Sequence, residues 1–431
     1  MAFEGRPGPV LLDLPDDLQR VEIDPRRLKS FIPPKKTYHL SSAKVKKTLK
    51  LIQQAKRPVV IVGGGVKLAG AEEQLKRFLG KSGMPFATTW STIDMFLEHT
   101  PKLIGNFGVS ANRAGNFTLQ NADLIISLGS RLDTHEAGSN ARRFAPRAKK
   151  IVVDIDRPEL NKNNGIRIDL GVNCDVKTFL RTLNSAVIKT QDLSHWNRSI
   201  GNWRKRYPVC LQQYYRQQKK VNPYVLMDQL SRLSKQGAII ITDAGATLTW
   251  TMQAYKIRKP QILFSAFNHS PMGYALAASI GAQYAAPKRQ VVCITGDGGM
   301  QMNIQELETI AYNKLPIKIF LVNNRGYGII KQTQDTWLDS RHVAADPASG
   351  LGFPDFQRVA QAYGIKTQQI SSHKQLKRII TRTLKSKGAI LCDVRVRQGE
   401  KIKPKLEFGR QLEDMSPLLS RKELKENMPY E

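Results

Sequence analysis

The sequence predicts an α/β protein of two doubly wound domains with mainly parallel sheets. Three observations carry this. Continuous Val/Ile/Leu runs recur at 10–14, 58–62, 124–128, 151–155, 238–242, 290–295, 317–322 and 390–396. Unbroken apolar runs suit strands covered on both faces. Segments with helical spacing lie between them: 43–54 places Val45, Leu49 and Ile52 on one side, and 303–312 does the same with Ile304, Leu307, Ile310 and Ala311. Glycine clusters at 63–65 and 296–299 directly follow two of the runs, as strand-to-helix turns do.

Taken in order, the run at 10–14 sits between turn residues and reads as a single strand whose sheet partners lie elsewhere. Residues 31–36, with Pro33-Pro34, read as a linker, so 1–40 is expected to be the last strand of another domain plus its exit. Residues 41–190 form a central domain with a nucleotide-fold pattern, closing on a helix near 176–186. The polar stretch 192–220 reads as surface helices or a linker. Residues 191–400 make the second α/β domain, and 401–431 a charged tail whose Phe408, Leu412, Met415, Leu418 and Leu419 would drape over a surface.

Composition narrows the function. Of 431 residues 41% are apolar, enough for sizeable cores. No run of about 20 apolar residues exists, so no membrane span is expected. Residues 1–20 show no secretory pattern. Cys174, Cys210, Cys293 and Cys392 are far apart, which suggests neither a zinc site nor a disulfide framework, and a reduced cytoplasm is the expected setting. Lys plus Arg number 67 against 36 Asp plus Glu, a net charge of +31. These cations are spread along the chain without a nucleic-acid-binding motif. The reading is a solvated basic surface that speeds encounter with anionic substrates, with no nucleic acid or membrane as partner.

One constellation carries chemistry. Gly296-Asp297-Gly298-Gly299 follows the run at 290–295, and Asn323-Asn324 ends the next run roughly two dozen residues on. Ligands of open parallel sheets bind at strand C-termini. An Asp and an Asn arriving there offer oxygen donors to a hard cation. Glycines at a helix start expose N–H groups to phosphate oxygens. Mg²⁺ shared between protein and a diphosphate follows. A lone G-D-G would be an ordinary turn; the interval to N-N and the two strand contexts give it meaning.

That pair matches the thiamine-diphosphate signature, and the chain resembles the acetolactate synthase-like family over nearly its whole length. Residues 5–19 (GRPGPVLLDLPDDLQ) resemble the exit of that family's pyrimidine-binding domain. Residues 105–108, 121–133 and 151–156 resemble its central domain, and Asp243-Ala244-Gly245 with 265–282 the start of its diphosphate domain. The resemblance implies Mg²⁺ held by Asp297, Asn324 and the Gly326 carbonyl, and diphosphate held by Gly298, Gly299 and the loop Gly245, Ala246, Thr247. It also implies the Ser270 carbonyl and Met272 N–H on the aminopyrimidine, with Met272 wedging the cofactor into its reactive shape; by itself Met272 would read as packing. The expected activity is decarboxylation of a 2-ketoacid such as pyruvate and transfer of the two-carbon unit to a carbonyl acceptor, a transferase or lyase of the thiamine-diphosphate class.

Departures shape the expectation. The glutamate that activates the cofactor belongs, by resemblance, to the pyrimidine-binding domain, so a homo-oligomer or a separate pyrimidine-domain chain is the expected partner. The alternative is an inactive remnant or a cofactor-binding subunit. Thr333 stands where such enzymes carry Trp, opening room for a larger acceptor, and Thr247 stands where a His meets the diphosphate. Segments 331–341 and 405–419 are more similar to acetolactate-synthase-like proteins of surface-sugar pathways. The Gly63-Gly64-Gly65 turn reads either as a site for FAD or as a purely structural nucleotide fold.

Overall fold

The computed structural model describes residues 2–33, 38, 40–162, 164–217 and 219–430. Among the described residues, twelve strands form two six-stranded sheets. The first holds β1 (Pro58–Val62), β2 (Phe86–Thr88), β3 (Leu103–Asn106), β4 (Leu124–Leu128), β5 (Lys149–Asp154) and β6 (Leu170–Asn173), in the order β3-β2-β1-β4-β5-β6. The second holds β7 (Ile239–Thr242), β8 (Ile262–Phe264), β9 (Val291–Gly296), β10 (Lys318–Asn323), β11 (Lys366–Ile370) and β12 (Ile390–Arg395), in the order β11-β12-β10-β9-β7-β8. Every ladder is parallel, with Val60 opposite Ile126 in the first sheet and Ile241 opposite Cys293 in the second. The predicted class is therefore the observed one, two doubly wound α/β units. The winding reverses between β1 and β4 in the first sheet and between β7 and β9 in the second, which opens a crevice at the strand C-termini there.

Both faces of each sheet are covered, as the unbroken apolar runs require. Helices Ser42–Gln54 and Val176–Ser185 close one face of the first sheet, where Ile52, Phe179 and Leu180 meet Val60 and Val62. Their starts are set by side-chain caps: Ser41 Oγ accepts from Lys44 N at 3.4 Å and Asp175 from Thr178 N at 2.9 Å. In the second sheet Ile240, Val292 and Phe320 face one cluster, and Ile241, Cys293 and Ile319 the other.

Three expectations differ from the structure. Residues 10–14 form no strand: they are extended and exposed, Leu11 at 90%, and a short helix Asp16–Arg20 follows. Without a sheet edge to pair with, an apolar run has no ladder to join. Of the proposed linker, Phe31 and Ile32 are exposed, while Pro34, Lys35 and Lys36 lie outside the described residues. The boundary at 190 falls too early, because helix Ser194–Arg206 buries Trp196, Ile200 and Trp203 against the other face of the first sheet. The tail returns to that same face, burying Leu406, Leu412 and Met428 there, with Leu406 N donating to Val109 O at 2.7 Å. Met415 is buried as expected, but Phe408 is 75% exposed and Leu418 also faces out.

The two units are tied directly. Asn106 Nδ2 donates to the Met252 carbonyl at 2.7 Å, Asp94 pairs with Lys67 and accepts from Leu263 N at 3.1 Å, and Arg258 meets Glu98 at 2.8 Å. No helix among the described residues is long and apolar enough to cross a membrane.

Candidate functional site

At the end of β9 the chain turns through Gly296 into helix Asp297–Met302, and β10 ends at Asn323 one strand away. Asp297 is buried. One of its oxygens accepts from Gly298 N at 2.8 Å, the other from Gly326 N at 3.2 Å. Burial pushes this carboxyl up to about 7, against the pull of the backbone N–H groups of Gly298, Gly326, Arg325 and Asn324.

The Asn324 amide reaches the same point. Its inward end lies 3.3 Å from Asp297 Oδ2 and 3.0 Å from the Gly326 carbonyl. With nitrogen inward it donates to both. With oxygen inward, it faces the Asp297 carboxylate and the Gly326 carbonyl at separations near the edge of an octahedron with metal–oxygen bonds of about 2.1 Å, which is about 3.0 Å. No cluster of three or more His, Cys, Asp or Glu side chains suited to a metal exists among the described residues. A cation here would thus draw on one carboxylate, one amide and one carbonyl, and complete its shell with ligand oxygens and water. The donor set fits Mg²⁺ bound together with a phosphate.

Around this point three helix starts converge. Helix Gly245–Ala254 opens after β7, and its Thr247 hydroxyl lies 3.1 Å from where a side chain on Gly296 would begin. Helix Gly328–Trp337 opens after β10, and a Cβ on its Gly328 would meet the Asn324 amide at 3.2 Å and Ala246 at 3.4 Å. A Cβ on Gly298 would strike the Tyr327 ring and come within 2.9 Å of Met272 Cε, and one on Gly299 would strike Asp243. Gly245, Ala246, Thr247, Gly298 and Gly299 thus lie at helix starts beside the Asp297 and Asn324 pair, where backbone N–H groups favour anionic oxygens.

Met272 stands over Gly298 and is 40% exposed. It belongs to a loop that makes a sharp bend: Ser270 sits at φ +44, its N–H donating to Ala266 O at 2.7 Å, and Gly273 sits at φ +89. The Gly273 conformation favours glycine, and its surroundings allow nothing larger, because Asn303 Nδ2 and Met302 Cβ fill the space. Strained backbone of this kind is kept where a site needs it.

All ten residues expected at the site lie in or beside this crevice. The sequence reading named Asp243 only as part of a matched segment, and it missed Tyr327 and Asn303 altogether. Asp243 was findable: it ends the run 238–242 as Asp297 ends the run 290–295. Tyr327 and Asn303 carry no sequence signal of their own.

The first sheet has its own crevice, a cavity of about 900 Å³ lined by Gly64, Gly65, Ser130, Glu136, Asp154 and Trp90 among others. It reaches Phe267 and Asn268, in the loop that leads to Met272.

Comparison with known proteins agrees with this geometry. Residues 243–394 match the C-terminal TPP binding domain of thiamine pyrophosphate enzymes, and residues 45–183 match their central domain. The chain is 32% identical over 419 residues to the acetolactate synthase large subunit of Cyanidium caldarium, an alignment covering 94% of this chain and 70% of that protein. It is 33% identical over 433 residues to the acetolactate synthase large subunit of Parasynechococcus marenigrum (strain WH8102), covering 98% and 68%. The probable acetolactate synthase large subunit of Methanocaldococcus jannaschii is 33% identical over 407 residues, covering 91% and 67%.

Proposed function

The chain belongs to the thiamine-diphosphate enzymes of the acetolactate synthase type, and from that premise we propose that it binds thiamine diphosphate and Mg²⁺ at the end of its second sheet and acts on a 2-ketoacid such as pyruvate, passing a two-carbon unit to a carbonyl acceptor. The observation that supports this most is the facing of Asp297, Asn324 and the Gly326 carbonyl beside the Gly298–Gly299 turn.

In this reading Asp297 and Asn324 hold the cation by their side chains and Gly326 by its carbonyl. The N–H groups of Gly298, Gly299 and the 245–247 turn take the phosphate oxygens, and the Thr247 hydroxyl donates one bond. Met272 packs beneath the cofactor's centre and fixes the angle between its rings, while the Ser270 carbonyl and Met272 N–H meet the aminopyrimidine. When bound, thiamine diphosphate supplies the carbanion stabilisation that decarboxylation needs. Thr333, half exposed on helix Gly328–Trp337, leaves room on the acceptor side.

Met272 is 40% exposed, which supports a site completed by a further surface, a pyrimidine-binding domain that brings the activating carboxylate. Residues 1–431 assayed alone are expected to release little carbon dioxide from pyruvate. The missing acid–base step contributes typically 10²–10⁴-fold, and added pyrimidine-domain protein is expected to restore it. The cavity of the first sheet suits a flavin dinucleotide as a second, structural ligand. Visible flavin absorbance retained through gel filtration tests that part.

Calorimetric titration of thiamine diphosphate with and without Mg²⁺ tests the core of the reading. Saturable, Mg²⁺-dependent binding is expected. Binding that ignores Mg²⁺ sinks the assignment of Asp297, Asn324 and Gly326.

A further inference from the structure

We propose that Asp243 is the positioning residue that sets the distance between the diphosphate turn and the Met272 loop, and so decides how well the site grips a whole cofactor rather than its diphosphate alone. The inference rests on the thiamine-diphosphate reading of this crevice.

Asp243 directly follows β7 and is buried. Its two oxygens serve three separate pieces of chain. Oδ1 accepts from Ala244 N at 2.8 Å, where the chain enters helix Gly245–Ala254, and from Gly273 N at 2.9 Å, one residue past Met272. Oδ2 accepts from the Thr295 hydroxyl at 2.6 Å, at the end of β9, and lies against Gly299 so closely that only hydrogen fits between them. One carboxylate therefore stitches the 245–247 turn, the 296–299 turn and the Met272 loop together.

The loop has few other anchors. Asn303 Nδ2 donates to the Gly273 carbonyl at 3.0 Å, so Gly273 is held from both sides, while Met272 itself stays exposed. Gly273 takes a left-handed backbone conformation. Ser270 in the same loop does so too, and a non-glycine residue keeps that conformation only while its surroundings fix it. Loss of Asp243 would leave the Gly273 N–H unpaired and let Met272 drift from Gly298. The oxygen cluster at Asp297 and Asn324 uses none of these bonds and would stay.

Two probes separate the parts: Mg²⁺ with thiamine diphosphate, and Mg²⁺ with inorganic pyrophosphate, each titrated by calorimetry. Wild type is expected to prefer thiamine diphosphate. Asp243→Ala is expected to weaken thiamine diphosphate by about 10-fold to 100-fold, the cost of unmade hydrogen bonds to buried donors. Pyrophosphate should lose clearly less, because both turns lose an anchor but the Asp297 and Asn324 cluster keeps its own bonds. Hydrogen exchange at amides 270–274 should quicken in that variant. Asp243→Asn should rescue both readouts, since an amide oxygen still accepts from Ala244 and Gly273 while Thr295 turns to accept from the amide nitrogen.

Should Asp243→Ala fail to fold, Thr295→Val, which frees only Oδ2, is expected to weaken thiamine diphosphate and spare pyrophosphate. Equal loss of both probes, no loss in either variant, or failure of Asp243→Asn to rescue would overturn the role of Asp243. Wild type that binds both probes equally would also overturn it, leaving the diphosphate site standing. Wild type that binds neither would remove the thiamine-diphosphate reading itself, and this inference with it.

Discussion

At the end of the first sheet, β1 and β4 part over Gly63–Gly65 and Gly129, whose backbones touch, and the crevice wall carries Asp133, Glu136, Asp154 and Asp175. At the end of the second, β7 and β9 part over the 245–247 and 296–299 turns, and the crevice holds two buried carboxylates, Asp243 and Asp297, among N–H groups. Both crevices come from the same winding rule, yet they offer opposite chemistry. The first is acid-lined, with Arg6 drawn to Asp154, Asp156 and Glu159 at 3.2–3.5 Å and Arg131 to Glu159 at 2.7 Å. Such a wall offers carboxylate acceptors, while Arg6 and Arg131 are already paired within it. The second suits a phosphate that brings its own cation. A doubly wound sheet supplies the place; the residues at the strand ends decide the ligand.

The comparison can be broken most directly at Asp297. Asp297→Ala should reduce Mg²⁺-dependent thiamine diphosphate binding by more than about 100-fold, since even partners of metal ligands matter by 10–100-fold. Calorimetry reads this, and unchanged binding would make the two crevices equivalent. Next in size is Leu412→Ala, in the tail that covers the first sheet. It should lower unfolding free energy by about 2–5 kcal/mol in denaturant titration, and leave Mg²⁺–pyrophosphate affinity unchanged if the two sites are independent.

Glycine replacements sharpen the contrast further. Gly298→Ala puts a methyl into the Tyr327 ring and against Met272, and should weaken thiamine diphosphate by about 1–3 kcal/mol. Gly63→Ala, driven into the Gly129 backbone, should instead lower thermal stability and spare Mg²⁺–pyrophosphate binding.

The smallest effect is the pH dependence. Burial raises Asp297 to about 7, and raises Glu136 of the first crevice to about 7 as well. For a carboxyl raised in the folded state, stability is full below its unfolded value near 4 and is lost as pH rises through 7. The metal-free chain should therefore grow less stable from pH 4 towards pH 7. Mg²⁺ needs the ionised Asp297, so its affinity should fall by only about twofold from pH 8 to pH 7, and then more steeply below. Saturating Mg²⁺ and thiamine diphosphate should remove the Asp297 titration and leave that of Glu136, visible as a residual slope in melting temperature against pH.

The fold was legible because both sheets are buried on two faces, so seven of the eight apolar runs became strands. The exception, 10–14, shows what a run cannot say: whether a partner edge is at hand. The meeting of Asp297 with Asn324 was legible because the two follow adjacent strands. Asp243 was harder to see, since its partners, Gly273 and Thr295, are far away in sequence and meet it only in the sheet. Helix Ser194–Arg206 was misplaced for a related reason. Its aromatic face at Trp196 and Trp203 announces burial but not which sheet receives it.

Leu406, Leu412 and Met428 cover the face of the first sheet that holds Phe117 and Phe144, yet they leave the ribosome only after every strand of the second sheet. Domains made first generally fold first. Here the earlier unit must wait with an apolar face uncovered while the later one is synthesised, so the time of greatest exposure to aggregation is set by the length of the intervening unit. A nascent chain arrested before residue 406 should be a better chaperone client than one arrested after residue 428.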